Sequence, residues 1–432
     1  MLVAFGLLIL HAAPAIYHAP YYFTYFNPLV GGVATAPKML VIGWGEGLDD
    51  AGIWLNGYDQ GRARGAVSAY TTGSFSYFYD HDVFTFASNL RHDWLEADYA
   101  VTYANQWQRL LPNAKILEFF SKHTPVYVFS FRGLELAQVY DLMETLPPPN
   151  SEFDPERIID FGGAIRLLDF NISPVVDEPG ESGEVALDLK NIQEMEKNAG
   201  VLLRLLGPNG EEVWRSEGWP YGAPTSEWPL REVRRDAHVL ALPATLPDGL
   251  YKLTLAFYDS DTLDPLRVSY PGNEMLPDGG DSADLALLRI GAQPSAPATD
   301  NPTWNFGETV RLADYTLPST LAAGEPLRFN LVWQSLQATP NRYTVFVHVV
   351  DASGKLVAQQ DREPQSGFAP VNLWTPGMVL QDEYTIELPP DLPPDEYSIR
   401  IGLYDASGTR LPITEGDKDL NDAAALGTFQ ID

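Results

Sequence analysis

FGGAIRLLDFNISP (residues 161–174) returns as FGETVRLADYTLPS (residues 306–319), 145 residues further on. GLYKLTLAFYDSDTLDPL (249–266) returns as DEYSIRIGLYDASGTRLPI (395–413). Trp228, Asp236 and Tyr258 meet Trp374, Asp382 and Tyr404 at a constant offset of 146. GPNGEEV sits where DASGKLV sits, at a slightly different offset. A long, nearly constant offset marks a duplicated domain and is too long for a solenoid repeat. Within a copy, YTVFVHVVD (343–351), DEYTIELP (382–389) and EYSIRIGLYD (396–405) alternate as half-buried strands do. PPDLPPD (389–395) between two of them is barred from a central strand and reads as a surface turn. Each copy is therefore expected to be an antiparallel, immunoglobulin-like β-sandwich. Trp228 and Trp374 recur at one place in both copies, which suits a role in the fold. A stacking platform for glycan is the alternative, and it needs exposed rings.

Upstream of the repeat the pattern changes. Residues 36–146 mix apolar runs of strand length with helical stretches, as an α/β unit does. KMLVIGWGEGLDDAGIWLN (38–56) is expected to start as a strand, turn on Gly43, Gly45 and Gly47, and open a helix near Leu48. A helix is expected near Asp82–Trp94, and two strands around Arg132–Gly133. Pro147–Pro149 makes a stiff linker, and Ala292–Asn305 links the two copies. The expected divisions are 1–30, 36–146, 155–292 and 304–432.

The first division is membrane-like. MLVAFGLLIL (1–10) is apolar, and no Lys or Arg precedes Lys38. That lacks the positive start of a signal peptide. Tyr17, Tyr21, Tyr22, Phe23, Tyr25 and Phe26 then resemble an interfacial aromatic belt. The expectation is the remnant of a last transmembrane helix, so that the chain is the outer end of a longer protein. An uncleaved anchor or a core helix are the alternatives. The fold class expected is thus mixed and multidomain: a membrane-helix remnant, a small α/β domain and two tandem sandwiches.

The 432 residues carry 58 acidic against 28 basic side chains, a net charge of -30. Nucleic acid is excluded as a partner on that ground, because phosphate contacts need Lys and Arg. Cysteine is absent, so disulfides, thiol chemistry and Cys-based metal sites are excluded.

Candidate chemistry is sparse. GWGEG (43–47) is neither G-x-G-x-x-G nor a P-loop. Glu46, Asp49 and Asp50 suit a helix N-terminus. Trp44 and Glu46 in a tight loop would also suit a substrate-facing role. Asp80, His81 and Asp82 adjoin in sequence and so point different ways, and no histidine has metal-ligand spacing. No G-x-S-x-G elbow supports a hydrolase triad, and no carboxylate pair stands out for glycoside hydrolysis.

Four stretches carry a family resemblance: HAPYYFTYFNPLVGG (18–32), VIGWGEGLDDAGIWLN (41–56), ADYAVTYANQWQR (97–109) and PVYVFSFRGLELAQVY (125–140). Together they resemble the C-terminal part of bacterial polytopic GT-C glycosyltransferases of the protein mannosyltransferase and aminoarabinose transferase group. The resemblance covers about residues 15–145, and the tandem modules look appended. It implies a cell-membrane location with the folded domains on the extracytoplasmic side, and sugar transfer from a polyprenyl-phosphate donor. The family's acidic catalytic residues lie in an early loop that has no match here, so no catalytic residue carries over and no cofactor is expected. Membrane lipid at the N-terminus and a polyprenyl-phosphate sugar or glycan are the implied partners. Tyr22, Tyr25, Asn27, Trp44 and Glu46 are the substrate-binding candidates, facing a membrane-proximal cavity. A membrane-anchored glycan-binding or scaffold protein is the alternative reading.

Overall fold

A computed structural model describes residues 12–14, 16–27, 29, 31–59, 65–68, 73–85, 97–111, 114–142, 155–299, 301–415, 418–419 and 423–432. They form two compact units. The first comprises the described chain up to Ile158 together with Leu189–Glu194 and Trp228–Arg234. The second comprises Ile159–Asp188, Met195–Glu227 and Arg235–Asp432.

In the first unit, helices α1 (Gly32–Met39) and α2 (Leu48–Asp59) precede strands β1 (Gly65–Ser68), β2 (Asp82–Thr85) and β3 (Tyr99–Tyr103). Helices α3 (Ala104–Arg109) and α4 (Ala114–Ser121) follow, then the hairpin β4 (Tyr127–Phe131) and β5 (Leu134–Asp141). The sheet order is β2-β1-β3-β5-β4. The β1–β2 and β1–β3 pairs are parallel, and the two pairs made by β5 are antiparallel. Central β3, YAVTY, is buried along its whole length, as a strand covered on both faces must be. Its alternation sends Tyr99, Val101 and Tyr103 into a core with Leu48, Ala51 and Leu55 of α2. Ala100 faces the other core, with Ile116 and Phe120 of α4. Arg132 and Gly133 both take positive φ, 53° and 86°, the conformation a two-residue hairpin turn requires.

The second unit begins with β6 (Ile159–Phe161), β7 (Ile165–Ser173), β8 (Ser182–Asn191), β9 (Ala199–Leu206), β10 (Glu212–Gly218), β11 (Val233–Ala241), β12 (Gly249–Asp259), β13 (Val268–Ser269) and β14 (Ala283–Ile290). The ends of β8 and β11 belong to the first unit. These strands make two sheets, β10-β9-β12-β14 and β11-β8-β7-β6-β13. The second copy supplies β15 (Trp304–Phe306), β16 (Val310–Thr316), β17 (Thr320–Leu321), β18 (Leu327–Ser335), β19 (Thr344–Val350), β20 (Leu356–Arg362), β21 (Val379–Ile386), β22 (Glu396–Tyr404), β23 (Ile413–Glu415), β24 (Lys418–Asp419) and β25 (Ala424–Ile431). Its sheets are β21-β18-β16-β15-β23-β24 and β17-β25-β22-β19-β20, with β17 parallel to β25. Strands such as β21 bury every second residue, and one core fed by both sheets runs through Trp333, Tyr384, Ile399 and Phe429.

The expected fold class is corrected to a β-rich, mixed-sheet fold. Parallel and antiparallel pairings coexist, and among the described residues no helix is long and apolar enough to cross a membrane. Residues 1–11, most of the expected membrane-helix remnant, lie outside the described residues. The aromatic segment after them packs partly on protein. Tyr21 sets its ring edge against Phe129 and Phe131, Arg132 lies 3.7 Å over Tyr17, and His18 is buried with Nδ1 2.9 Å from Thr24 Oγ1. Lipid as an N-terminal partner and a cell-membrane location, expected from the resemblance and the helix remnant, are corrected with it: no helix among the described residues is long and apolar enough to support them. The Pro147–Pro149 linker and most of the expected Asp82–Trp94 helix fall outside the described residues; Asp82–Thr85 is strand β2.

Candidate functional site

The Gly43–Gly47 loop follows helix α1 instead of the expected strand, and Pro37 lies inside that helix. Its glycines take φ of 88°, 114° and 83°, the left-handed region. They also let the backbone approach aromatic rings. A Cβ on Gly47 would lie 2.0 Å from the Phe129 ring, and one on Gly43 2.7 Å from Tyr103. Tyr103 organises the loop. Its hydroxyl accepts the Gly45 N–H at 2.9 Å and lies 3.0 Å from Glu46 Oε2, to which it donates. Glu46 Oε2 also accepts the Trp44 N–H at 2.6 Å, and Asn105 Nδ2 donates to Gly43 O at 3.1 Å. Asp49 and Asp50, in the first turn of α2, accept hydrogen bonds from Tyr21 and Tyr127. Burial, reinforced by these carboxylates, raises both phenols, Tyr127 to about 12.

The five candidate residues divide. Glu46 is turned inward and nine-tenths buried, and its Oε1 has no hydrogen-bond partner among the described residues. Trp44 is turned outward, 76% exposed. A backbone hydrogen bond joins this pair, yet the two side chains do not present a common surface. Tyr22 and Tyr25 are exposed on and after a short 3-10 turn. Asn27 folds back on its own turn, its Oδ1 accepting the Leu29 N–H at 2.9 Å. Glu46 hydrogen-bonds within its own loop and to Tyr103, and Asp49 and Asp50 lie in the first turn of α2.

A cleft of about 610 Å³ opens elsewhere in this unit, between α1, α3, α4 and the β4–β5 hairpin. Trp107, Phe120 and Tyr140 line it, with Gln108, His123 and Glu135. Gln108 is already spent on the backbone: it accepts from Ile42 N and donates to Pro37 O and Leu40 O. The Phe119 carbonyl, 2.8 Å from His123 Nδ1, can only accept, so the proton sits on Nδ1. The Tyr140 hydroxyl donates to Gln138 at 2.8 Å, and burial pushes it up to about 12. The size suits a small ligand, and the walls are aromatic and largely neutral. Sequence reading missed this cleft because its lining comes from stretches about a hundred residues apart.

Buried charge in the first unit is paired across long sequence distances. Lys190 Nζ lies 3.5 Å from Asp98, and Arg231 Nη1 lies 3.5 Å from the Tyr99 hydroxyl. His81 Nε2 is 3.4 Å from Asp59, and among the described residues no three His, Cys, Asp or Glu side chains could hold a metal. Trp228 and Trp374 are buried, 5% and 2% exposed, which rules out the stacking platform.

No family model and no curated protein matches the chain. Solved structures give distant likenesses. The CARDB domain of the Pyrococcus furiosus PF1109 protein, in complex with di-metal ions, is 12% identical over 33% of this chain and 100% of that one, with a TM-score of 0.19. Red sea bream transglutaminase is 10% identical over 61% of this chain and 31% of its own, at 0.17. A Corynebacterium diphtheriae protein described as membrane anchored is 11% identical over 69% and 63%, at 0.17. These scores carry no argument about function. The expected GT-C, mannosyltransferase-like and transmembrane character is corrected, since no family model matches and the described fold is β-rich without a spanning helix.

Proposed function

We propose that this chain is a scaffold region that does not itself transfer sugar, the accessory portion of a sugar-transferring enzyme. One observation supports the reading. The four stretches that carry the resemblance converge in space, and all contribute to the core around Tyr103, from Phe26 through Leu48 and Val101 to Phe129 and Leu136. The tandem β-modules add structure around buried tryptophans and offer no stacking platform. Depleting a cell extract with an antibody to this chain should remove a sugar-transfer activity, while the purified chain alone transfers none. Activity that survives complete depletion, or turnover by the purified chain, overturns the reading.

A further inference from the structure

Ser216 on edge strand β10 and Asp236 and His238 on edge strand β11 form a hydrogen-bonded chain. Ser216 Oγ lies 2.8 Å from His238 Nδ1, and His238 Nε2 lies 2.9 Å from Asp236 Oδ2. The His238 and Asp236 side chains are 9% and 6% exposed, while Ser216 is only half-buried. A carboxylate only accepts, so Nε2 carries the proton of the neutral ring and Nδ1 is left to accept from the serine. Asp236 Oδ1 is held in turn by the Tyr221 N–H at 2.9 Å. A hydroxyl on a base that a third group orients is the arrangement that activates a serine. The two ring nitrogens are exchanged relative to the best-known triads, and either can take a proton.

The second copy shows what the fold itself requires. There Asp382 holds the Gln365 N–H at 2.9 Å, as Asp236 holds Tyr221. Strand register places Gln360 opposite Val347 as Ser216 is opposite Leu203, so Gln360 occupies the serine's place. Tyr384 occupies the place of His238, two residues after the aspartate. The loop is held there without a serine–histidine bond, so that bond is an addition to the scaffold.

We propose that Ser216 is an activated nucleophile that accepts an acyl group from an activated carboxylic ester. The Ser216 Oγ–H proton passes to His238 Nδ1 as Oγ bonds to the acyl carbon. The ester's C–O bond breaks, and the proton leaves Nδ1 with the departing alkoxide, giving acyl-Ser216 and an alcohol. This goes beyond the scaffold reading and does not rest on it.

p-Nitrophenyl acetate and a fluorophosphonate probe test it, with the modified residue located by peptide mass spectrometry of the full chain. Ser216 should label faster than the other serines by roughly 100-fold or more, the span that a positioned base supplies. His238→Gln should lose that advantage, and His238→Ala should regain part of it with added imidazole, a rescue that a misfolded variant would not show. Labelling of Ser216 no faster than other serines, or unchanged labelling in His238→Gln, overturns the proposal.

Discussion

The two repeats solve one problem with different parts. Each buries an aspartate, Asp236 or Asp382, that accepts the N–H of a residue in the left-handed region, Tyr221 at φ 56° or Gln365 at φ 49°. Each carboxylate then has a neighbour of complementary chemistry. In the second copy Arg362 reaches across from β20, 2.8 Å from Asp382, and lies 3.8 Å over the Tyr384 ring. Register puts Gly218 where Arg362 stands, so the first copy has no guanidinium there and supplies His238 from the aspartate's own strand. The lesson is that a duplicated fold retains the buried acid and lets the group facing it drift. Burial still holds the Asp382 carboxyl above the usual range, with Arg362 opposing it.

Removing the permanent cation should have the largest effect. Arg362→Leu leaves a fully buried carboxylate without its ion pair, a class of change that costs about 3–5 kcal/mol. His238→Leu in the first copy breaks hydrogen bonds instead and should cost about 1–3 kcal/mol, both read from urea unfolding. Arg362→Gly combined with Tyr384→His rebuilds the first copy's arrangement and should recover part of what Arg362→Gly alone loses. Equal losses at the two sites, or no recovery, would break the comparison.

The paired tryptophans offer a finer test. Trp374 Nε1 donates to Ala369 O at 2.9 Å, whereas Trp228 Nε1 has no partner among the described residues. Trp374→Phe should therefore cost about 1 kcal/mol more than Trp228→Phe by the same measurement. The smallest effect concerns acid. His348 on β19 pairs with Arg400, and the matching pair in the first copy is Arg204 with Thr254. Burial, then Arg410 and Arg400 against Asp361, lowers His348 below its usual 6.5. The unfolded chain takes up this proton first, so the contribution is whole above about pH 6.5 and is lost as pH falls below it. Thermal midpoints followed from pH 7.5 to pH 5 should fall less steeply in His348→Gln. An unchanged slope would remove His348 from the account.

The duplication was legible because whole motifs recur, and the Arg132–Gly133 hairpin because its turn chemistry is local. Other features depended on partners that sequence does not place. Gly218 and Arg362 align only after the register of β9 and β19 is known, since the offset on those strands differs from that on β11 and β21. The apolar run before GWGEG has strand composition, yet Lys38 and Met39 finish helix α1. The loop's glycines read as a turn, and the rings of Tyr103 and Phe129 add a second reason for two of them. Tyr21 was read as part of a belt, whereas its hydroxyl donates to Asp49, in the first turn of a helix 28 residues away.

The first unit's discontinuous membership bears on the order of synthesis. Its sheet ends with β5 at Asp141, yet Lys190 and Arg231, beside Asp98 and Tyr99, emerge later. Translation at about 5–20 residues per second puts roughly 5–20 s between the last strand and the last of those cations. During that interval the nascent sheet holds Asp98 without Lys190. The unit encoded first is therefore not complete before the second begins: it waits for residue 234, by which time β6 to β10 have already been translated.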